Sequence, residues 1–115
     1  MKLTEQTAQP LSKGTGPLTR NEVEKLLREI PRWSIGDRTI EREFRFKDFR
    51  QAMDFVNSVA AIANEQDHHP DLFISYNKVQ VTLSTHSIGG LSLNDFIVAA
   101  RIDLAADRHG IGQAA

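Results

Sequence analysis

The 115-residue sequence contains no cysteine and carries almost no net charge. Without cysteine the chain can form neither a disulfide framework nor a thiolate zinc site, and it offers no thiol nucleophile. Fourteen basic and 15 acidic side chains give a formal net charge of −1, so no overall field attracts nucleic acid or an anionic membrane. We therefore expect a protein that binds neither nucleic acid nor membrane, and we expect it in the cytoplasm.

Long apolar runs are also absent. Polar residues such as Thr4, Glu5 and Gln6 interrupt the N-terminal stretch, which predicts no secretion signal. No stretch approaches the roughly 20 apolar residues that a membrane-spanning helix needs. With 40% of its residues apolar, the chain has material for one domain with one modest core.

Both terminal segments lack a hydrophobic repeat. Residues 1–17 combine proline and glycine with small polar residues, and residues 107–115 contain two glycines. Such compositions bury too little apolar surface to offset the entropy of ordering. We expect a flexible N-terminal lead, a domain over residues 18–106 and a flexible C-terminal tail.

Between these segments, hydrophobic periodicity alternates between helical and extended patterns. The order is helix, two strands, helix, two strands, helix, with elements at 20–29, 33–35, 39–46, 48–66, 72–76, 79–85 and 92 to about 104. Thr19 and Glu22 fit a capping box for the first helix, and Ser92 with Asp95 can cap the last. This order predicts an α+β fold, in which helices pack on one face of a four-stranded antiparallel sheet.

Three of the four histidines lie in the loops of the second half of the domain, as His68, His69 and His86. Imidazole titrates near neutral pH, so a histidine in a cleft can give a proton to a leaving group and take one back within a turnover. Histidines in surface loops are also common without any role. The cluster alone leaves both interpretations open.

A histidine-only zinc site is the rival chemistry. Adjacent residues in an extended loop project in different directions, and no two histidines lie one helical turn apart, so the spacing disfavours it. A serine triad is weaker still, since Ser84 and Ser87 flank His86 without a Gly-x-Ser-x-Gly turn. We expect neither a metal nor an organic cofactor. We expect His109 to lie in the flexible tail without a role.

Four motifs stand out in the second half: Asp67-His68-His69-Pro70-Asp71, Tyr76-Asn77-Lys78-Val79, Leu83-Ser84-Thr85-His86, and Gly90-Leu91-Ser92 followed by Asp95. Together they resemble the signature of the pterin-4a-carbinolamine dehydratases. The likeness extends upstream through Trp33 and the start of the long helix. Only the two terminal segments fall outside it.

The resemblance implies an activity: dehydration of 4a-hydroxytetrahydropterin to quinonoid dihydropterin, the recycling step after aromatic amino acid hydroxylation. It implies a pterin pocket with catalytic His68, His69 and His86, in which we expect His68 and His86 to transfer protons and His69 to hold the pterin. Further substrate-binding candidates are Asn64, Asp67, Pro70, Leu72, Ser84, Thr85 and Asp95. Homodimers or homotetramers are implied as well.

Two positions depart from the family pattern. Asn64 stands where an acidic residue is usual on the last turn of the helix, and Leu72 stands where many members have tryptophan. Residues four apart share a helix face, so we expect Asn64 to face His68. The alternative function is non-catalytic, because relatives of the family act as a dimerisation cofactor for a homeodomain transcription factor or resemble carboxysome assembly factors for ribulose bisphosphate carboxylase. That alternative implies a protein partner.

Overall fold

A computed structural model describes residues 2–110 and confirms the predicted order of elements. The helices are α1 (Arg20–Leu27), α2 (Phe49–Gln66) and α3 (Leu93–Arg108), and the strands are β1 (Ser34–Ile35), β2 (Ile40–Arg45), β3 (Asp71–Ser75) and β4 (Lys78–Leu83). Short 3-10 helices occur at Leu3–Glu5 and His86–Ile88. Among the described residues, no helix is long and apolar enough to cross a membrane.

The four strands form one antiparallel sheet in the order β1-β2-β4-β3. Both predicted hairpins are present, and their second strands pair in the centre of the sheet, where Ile40 lies opposite Leu83 and Phe44 opposite Val79. The turn between β3 and β4 falls at Tyr76-Asn77, one residue earlier than expected. Tyr76 adopts a left-handed conformation there, with φ of 52°. β1 and β3 are left as the edge strands.

One face of the sheet packs against the helices, because alternate residues of a strand point to the same side. Ile40, Phe44, Val79, Val81 and Leu83 are almost completely buried on this face and join the core with Phe55 and Val59 of α2 and Phe96 and Ile102 of α3. The opposite face carries mainly polar side chains. This confirms the predicted α+β arrangement.

A partly buried ion pair joins the sheet to α3. The Arg42 guanidinium donates to Asp103 Oδ1 at 2.6 Å, and Trp33 Nε1 donates to the same oxygen at 2.9 Å. Burial raises the pKa of Asp103 above its ordinary value of 3.8, and the hydrogen bonds from Trp33 and Arg42 partly offset that effect. Burial therefore disfavours the ionised form of the Asp103 carboxyl group.

We expected residues 1–17 to form a flexible lead, but residues 3–9 pack on the domain. Leu3 is only 2% exposed. Arg101 Nη2 of α3 donates to the Gln6 carbonyl at 2.6 Å, and the Asn94 side chain forms two hydrogen bonds with the Gln9 backbone. Composition could not predict these contacts, because the partners of the segment lie about 90 residues away along the chain.

The C-terminal segment expected to be loose begins inside α3, which continues to Arg108. His109 Nε2 lies 3.1 Å from Ser58 Oγ, and the His109 ring meets Phe55 edge-on with centroids 5.9 Å apart. His109 therefore packs against α2, although we expected no role for it from the sequence. The remainder of that segment, residues 111–115, lies outside the described residues.

Candidate active site

His68 is positioned by the way α2 ends. Asp67 takes a left-handed conformation with φ of 50°, and the His68 backbone N–H donates to the Ala63 carbonyl at 3.1 Å. The Asp67 N–H donates to the Asn64 carbonyl at 3.3 Å, which completes a Schellman motif. This motif reverses the chain, so that the side chain of His68 meets the first turn of α3.

There, His68 Nε2 lies 2.6 Å from Asp95 Oδ1. The Asp95 side chain is fully buried, and that of His68 is 13% exposed. A carboxylate can only accept hydrogen bonds, so ionised Asp95 requires a proton on His68 Nε2. The pair therefore fixes the ring orientation and leaves Nδ1 as the nitrogen that can exchange a proton with a ligand.

The second oxygen of Asp95 is also held. Oδ2 accepts from the Ser92 backbone N–H at 2.9 Å and from Thr85 Oγ1 at 2.7 Å. The Thr85 hydroxyl also lies 2.8 Å from Ser92 Oγ, and since its own hydrogen goes to Asp95, the Ser92 hydroxyl must be the donor. Asp95 thus caps α3, as the sequence predicted, and at the same time orients His68.

We expected Asn64 to contact His68. It contacts His69 instead. Asn64 Oδ1 lies 3.0 Å from His69 Nε2, and both residues are exposed. The expectation assumed that the helix continues to residue 68, whereas α2 ends at Gln66 and the left-handed Asp67 turns the chain away. The residue that departs from the family pattern therefore acts on the second histidine of the pair.

A cavity of about 280 Å³ lies beside His68. Of the candidates from sequence, Asp67, His68 and Thr85 line it, and Asp95 lies behind His68 and Thr85. The remaining lining residues are Gln66 of α2, Asn94 of α3, Ser87 of the 3-10 helix His86–Ile88, and Ala8, Gln9, Pro10 and Leu11 of the N-terminal segment. We call this space the His68 cavity.

His86 and Ser84 line a different cavity of about 310 Å³, together with Asp37, Arg38 and Thr39 of the β1-β2 turn and the Gly89-Gly90 turn. Thr85 is extended, and consecutive side chains of an extended segment point to opposite sides. Thr85 therefore turns inward to Asp95 while its two neighbours face the other way. The structure brings His68 and Thr85 together but places His86 in the lining of this second cavity.

Pro70 and Leu72 line neither of these two cavities. Leu72 lies on β3 opposite Val81 and packs against the core from the helix side of the sheet. Aliphatic packing against the core accommodates Leu72 at this position.

Sequence reasoning missed the N-terminal wall and the β1-β2 turn as parts of these cavities. Gln66 and Asn94 carried no signal either, because their hydrogen bonds join them to backbone that lies 58 and 85 positions away along the chain. Nothing in residues 8–11 or in Asp37, Arg38 and Thr39 indicated a site. Within residues 2–110 no group of three or more histidine, aspartate or glutamate side chains could hold a metal ion.

The family profile and the relatives that match this chain all name the same family. Residues 16–105 match the sequence profile of the family described as "Pterin 4 alpha carbinolamine dehydratase". A Nitrosospira multiformis protein named "Putative pterin-4-alpha-carbinolamine dehydratase" is 46% identical over 101 residues, which cover 88% of this chain and 89% of the relative. A Nitrosomonas eutropha protein of the same name is 44% identical over 103 residues, covering 89% and 91%.

Solved structures agree. A "transcriptional coactivator/pterin dehydratase" from Brucella melitensis has a TM-score of 0.75 and 39% identity, over 79% of this chain and 99% of that chain. A pterin dehydratase-like protein described as a RuBisCO assembly factor in the alpha-carboxysome has a TM-score of 0.55 and 24% identity, over 65% and 87%. The second likeness shows the fold alone. The sequence profile and the relatives, by contrast, show that the chain belongs to the pterin 4 alpha carbinolamine dehydratase family.

Proposed function

We propose that this protein catalyses the dehydration of 4a-hydroxytetrahydropterin to quinonoid dihydropterin. The observation that carries the proposal is the His68 imidazole at a cavity wall, with one nitrogen held by the buried Asp95 carboxylate. Family membership supplies the substrate class. The proposed role is pterin recycling after aromatic amino acid hydroxylation, and the proposed location is the cytoplasm.

The reaction needs one proton donated and one removed. The C4a–O bond breaks, and the hydroxyl leaves as water after accepting a proton from a general acid. The N5–H proton goes to a base, and the electron pair of that bond forms the C4a=N5 double bond. Protons balance and no electrons enter or leave, so the step requires no redox cofactor.

His68 suits both proton transfers. Its Nδ1 can donate as the imidazolium and accept as the neutral ring, while Asp95 holds Nε2 and fixes the orientation of the ring. A positioned acid or base of this kind contributes typically about 10²–10⁴-fold to a rate. We propose His68 as the proton-transfer residue and Asp95 as the residue that positions it.

The other family candidates complete the proposal. His69, held by Asn64, is proposed to bind the pterin, and Asp67 and Thr85 line the cavity beside His68. A proton transfer by His86 is predicted by the motif match alone, because His86 lines the second cavity and not the His68 cavity. The roles of His69 and His86 rest on the motif match and stay predictions, as does substrate contact by Ser84, Pro70 and Leu72.

Single substitutions test the assignment. His68→Ala should lower the dehydration rate at least tenfold and leave the circular dichroism spectrum unchanged, because Asp95 keeps its hydrogen bonds from Ser92 and Thr85. His109→Gln is the matched control, since His109 packs against Ser58 outside both cavities. Equal rates for wild type, His68→Ala and the control would exclude His68 as the proton-transfer residue.

We also propose that the chain forms a homodimer or homotetramer. An edge strand presents unpaired backbone groups that favour pairing with another strand, and β3 is such an edge. Phe73 on this strand is 68% exposed on the polar face, a position that a second copy would cover. Sedimentation should show a dimer or tetramer at micromolar concentration, and a stable monomer would contradict the proposal.

A further inference from the structure

The lining of the His68 cavity divides sharply by chemistry. Every described lining residue that follows residue 11 in the chain is polar: Gln66, Asp67, His68, Thr85, Ser87 and Asn94. The three apolar lining residues, Ala8, Pro10 and Leu11, all belong to the N-terminal segment. The apolar wall of this cavity is thus made by the segment that composition predicted to be flexible.

Side chains of the helices hold this segment in place. The Ala8 N–H donates to Gln66 Oε1 at 2.8 Å, and Gln66 is buried. Asn94 accepts from the Gln9 N–H at 3.0 Å and donates to the Gln9 carbonyl at 2.7 Å, as a neighbouring strand would. Arg101 also binds the Gln6 carbonyl, and the Asn94 contacts hold Gln9, immediately before Pro10.

A flat heterocycle needs two kinds of contact. Its edge nitrogens and oxygens need hydrogen-bonding partners, and its faces need apolar surface. The helices and the loops around Thr85 supply only the first kind at this cavity. Leu11 is half-buried and Pro10 is exposed, so a ring placed between them and His68 would remove apolar surface from water.

We propose that residues 8–11 form the apolar wall of the pterin site and that Leu11 is a positioning residue for the bound ring. This inference rests on the proposed function. Because Leu11 transfers no proton, its loss should weaken binding and leave the chemical step unchanged. Leu11 lies outside the buried core, so its replacement should also leave the fold intact.

The test measures binding and turnover in the full-length protein. Leu11→Ser should raise the Kd for unsubstituted pterin about tenfold by fluorescence titration, and should raise KM for 4a-hydroxytetrahydropterin with kcat unchanged. Leu11→Met should restore both values. Lys13→Ser is the matched control, because Lys13 is exposed in the same segment and does not line the cavity.

A second variant loosens the wall without touching it. Arg101→Met removes the hydrogen bond to Gln6, together with the ion pair to Glu65, and should raise the pterin Kd severalfold, whereas Arg108→Met, at an exposed position on the same helix, should not. An unchanged Kd in Arg101→Met would show that the Gln6 contact does not support the wall.

Two outcomes overturn the inference, and they are distinguishable. If wild type and Leu11→Ser bind pterin equally, the wall has no role and the proposed dehydratase function stands. If wild type neither binds pterin nor accelerates the dehydration, the proposed function fails and the inference fails with it.

Discussion

Replacing Asp95 by asparagine changes one oxygen to an amide nitrogen at the centre of the proposed site. The Ser92 backbone N–H is a fixed donor to one side chain oxygen of residue 95, so the single oxygen of asparagine must remain there. The NH₂ group then faces His68 Nε2. That nitrogen must become an acceptor, and the ring proton must move to Nδ1.

The energetic and catalytic effects differ in size. A charge-assisted hydrogen bond of 2.6 Å becomes a neutral one, which should cost about 1–2 kcal/mol in the free energy of unfolding. Turnover should fall more steeply, by about 10²–10⁴-fold, because the variant favours the wrong tautomer and opposes the imidazolium.

Two measurements check this reasoning. Nitrogen NMR of the histidine rings should show the proton of His68 on Nε2 in wild type and on Nδ1 in Asp95→Asn. Urea unfolding should show that the variant is folded under assay conditions. A folded variant with the new tautomer and wild-type turnover would refute the proposal that Asp95 acts through His68.

Three further predictions follow from single side chains. Asp67→Gly should raise the free energy of unfolding by about 1 kcal/mol in urea titrations, because glycine adopts the left-handed conformation at φ of 50° without strain. An unchanged or lower free energy of unfolding would show that the Asp67 backbone is not strained. Burial raises the pKa of Asp103, so the native state keeps the Asp103 proton to higher pH than the unfolded state does. The free energy of unfolding of wild type, relative to that of Asp103→Asn, should therefore fall as pH rises from about 3.8, and a rise would contradict the raised pKa. Asn64→Glu places a carboxylate beside His69 and should increase turnover or move the upper limb of the pH–rate profile to higher pH; an unchanged profile would show that the missing charge is unimportant.

Local patterns predicted the elements of this fold well. The Thr19–Glu22 capping box is present at the start of α1. The apolar residues at helical spacing in α2 begin at Phe49, which is 50% exposed, whereas Ala52, Val56, Val59 and Ala63 lie on the buried side. These features depend on neighbours within a few residues, so the sequence displays them directly. The turn at Tyr76 was misplaced by one residue, because a left-handed tyrosine has no strong sequence signal.

The candidate site was only partly predictable. His68 and Asp95 were both identified from the motif match, but their direct contact joins residues 27 positions apart. The Asn64–His69 contact depends on a helix end that turns at an aspartate, where glycine would have given the usual signal. The side to which His86 points follows from the extended conformation of Thr85, which spacing alone does not specify.

The N-terminal segment escaped prediction for a different reason. Its composition is that of a disordered chain, and its order comes from Gln66, Asn94 and Arg101 on distant helices. Such hydrogen bonds to backbone are insensitive to which residues the segment contains.

The central claim is that this protein is a dehydratase. It is tested most directly by a stopped-flow measurement of 4a-hydroxytetrahydropterin breakdown in buffer, with wild type, and with His68→Ala. We predict that wild type accelerates the dehydration well above the spontaneous rate and that His68→Ala loses most of the acceleration. Breakdown at the spontaneous rate in the presence of folded wild-type protein would contradict the account.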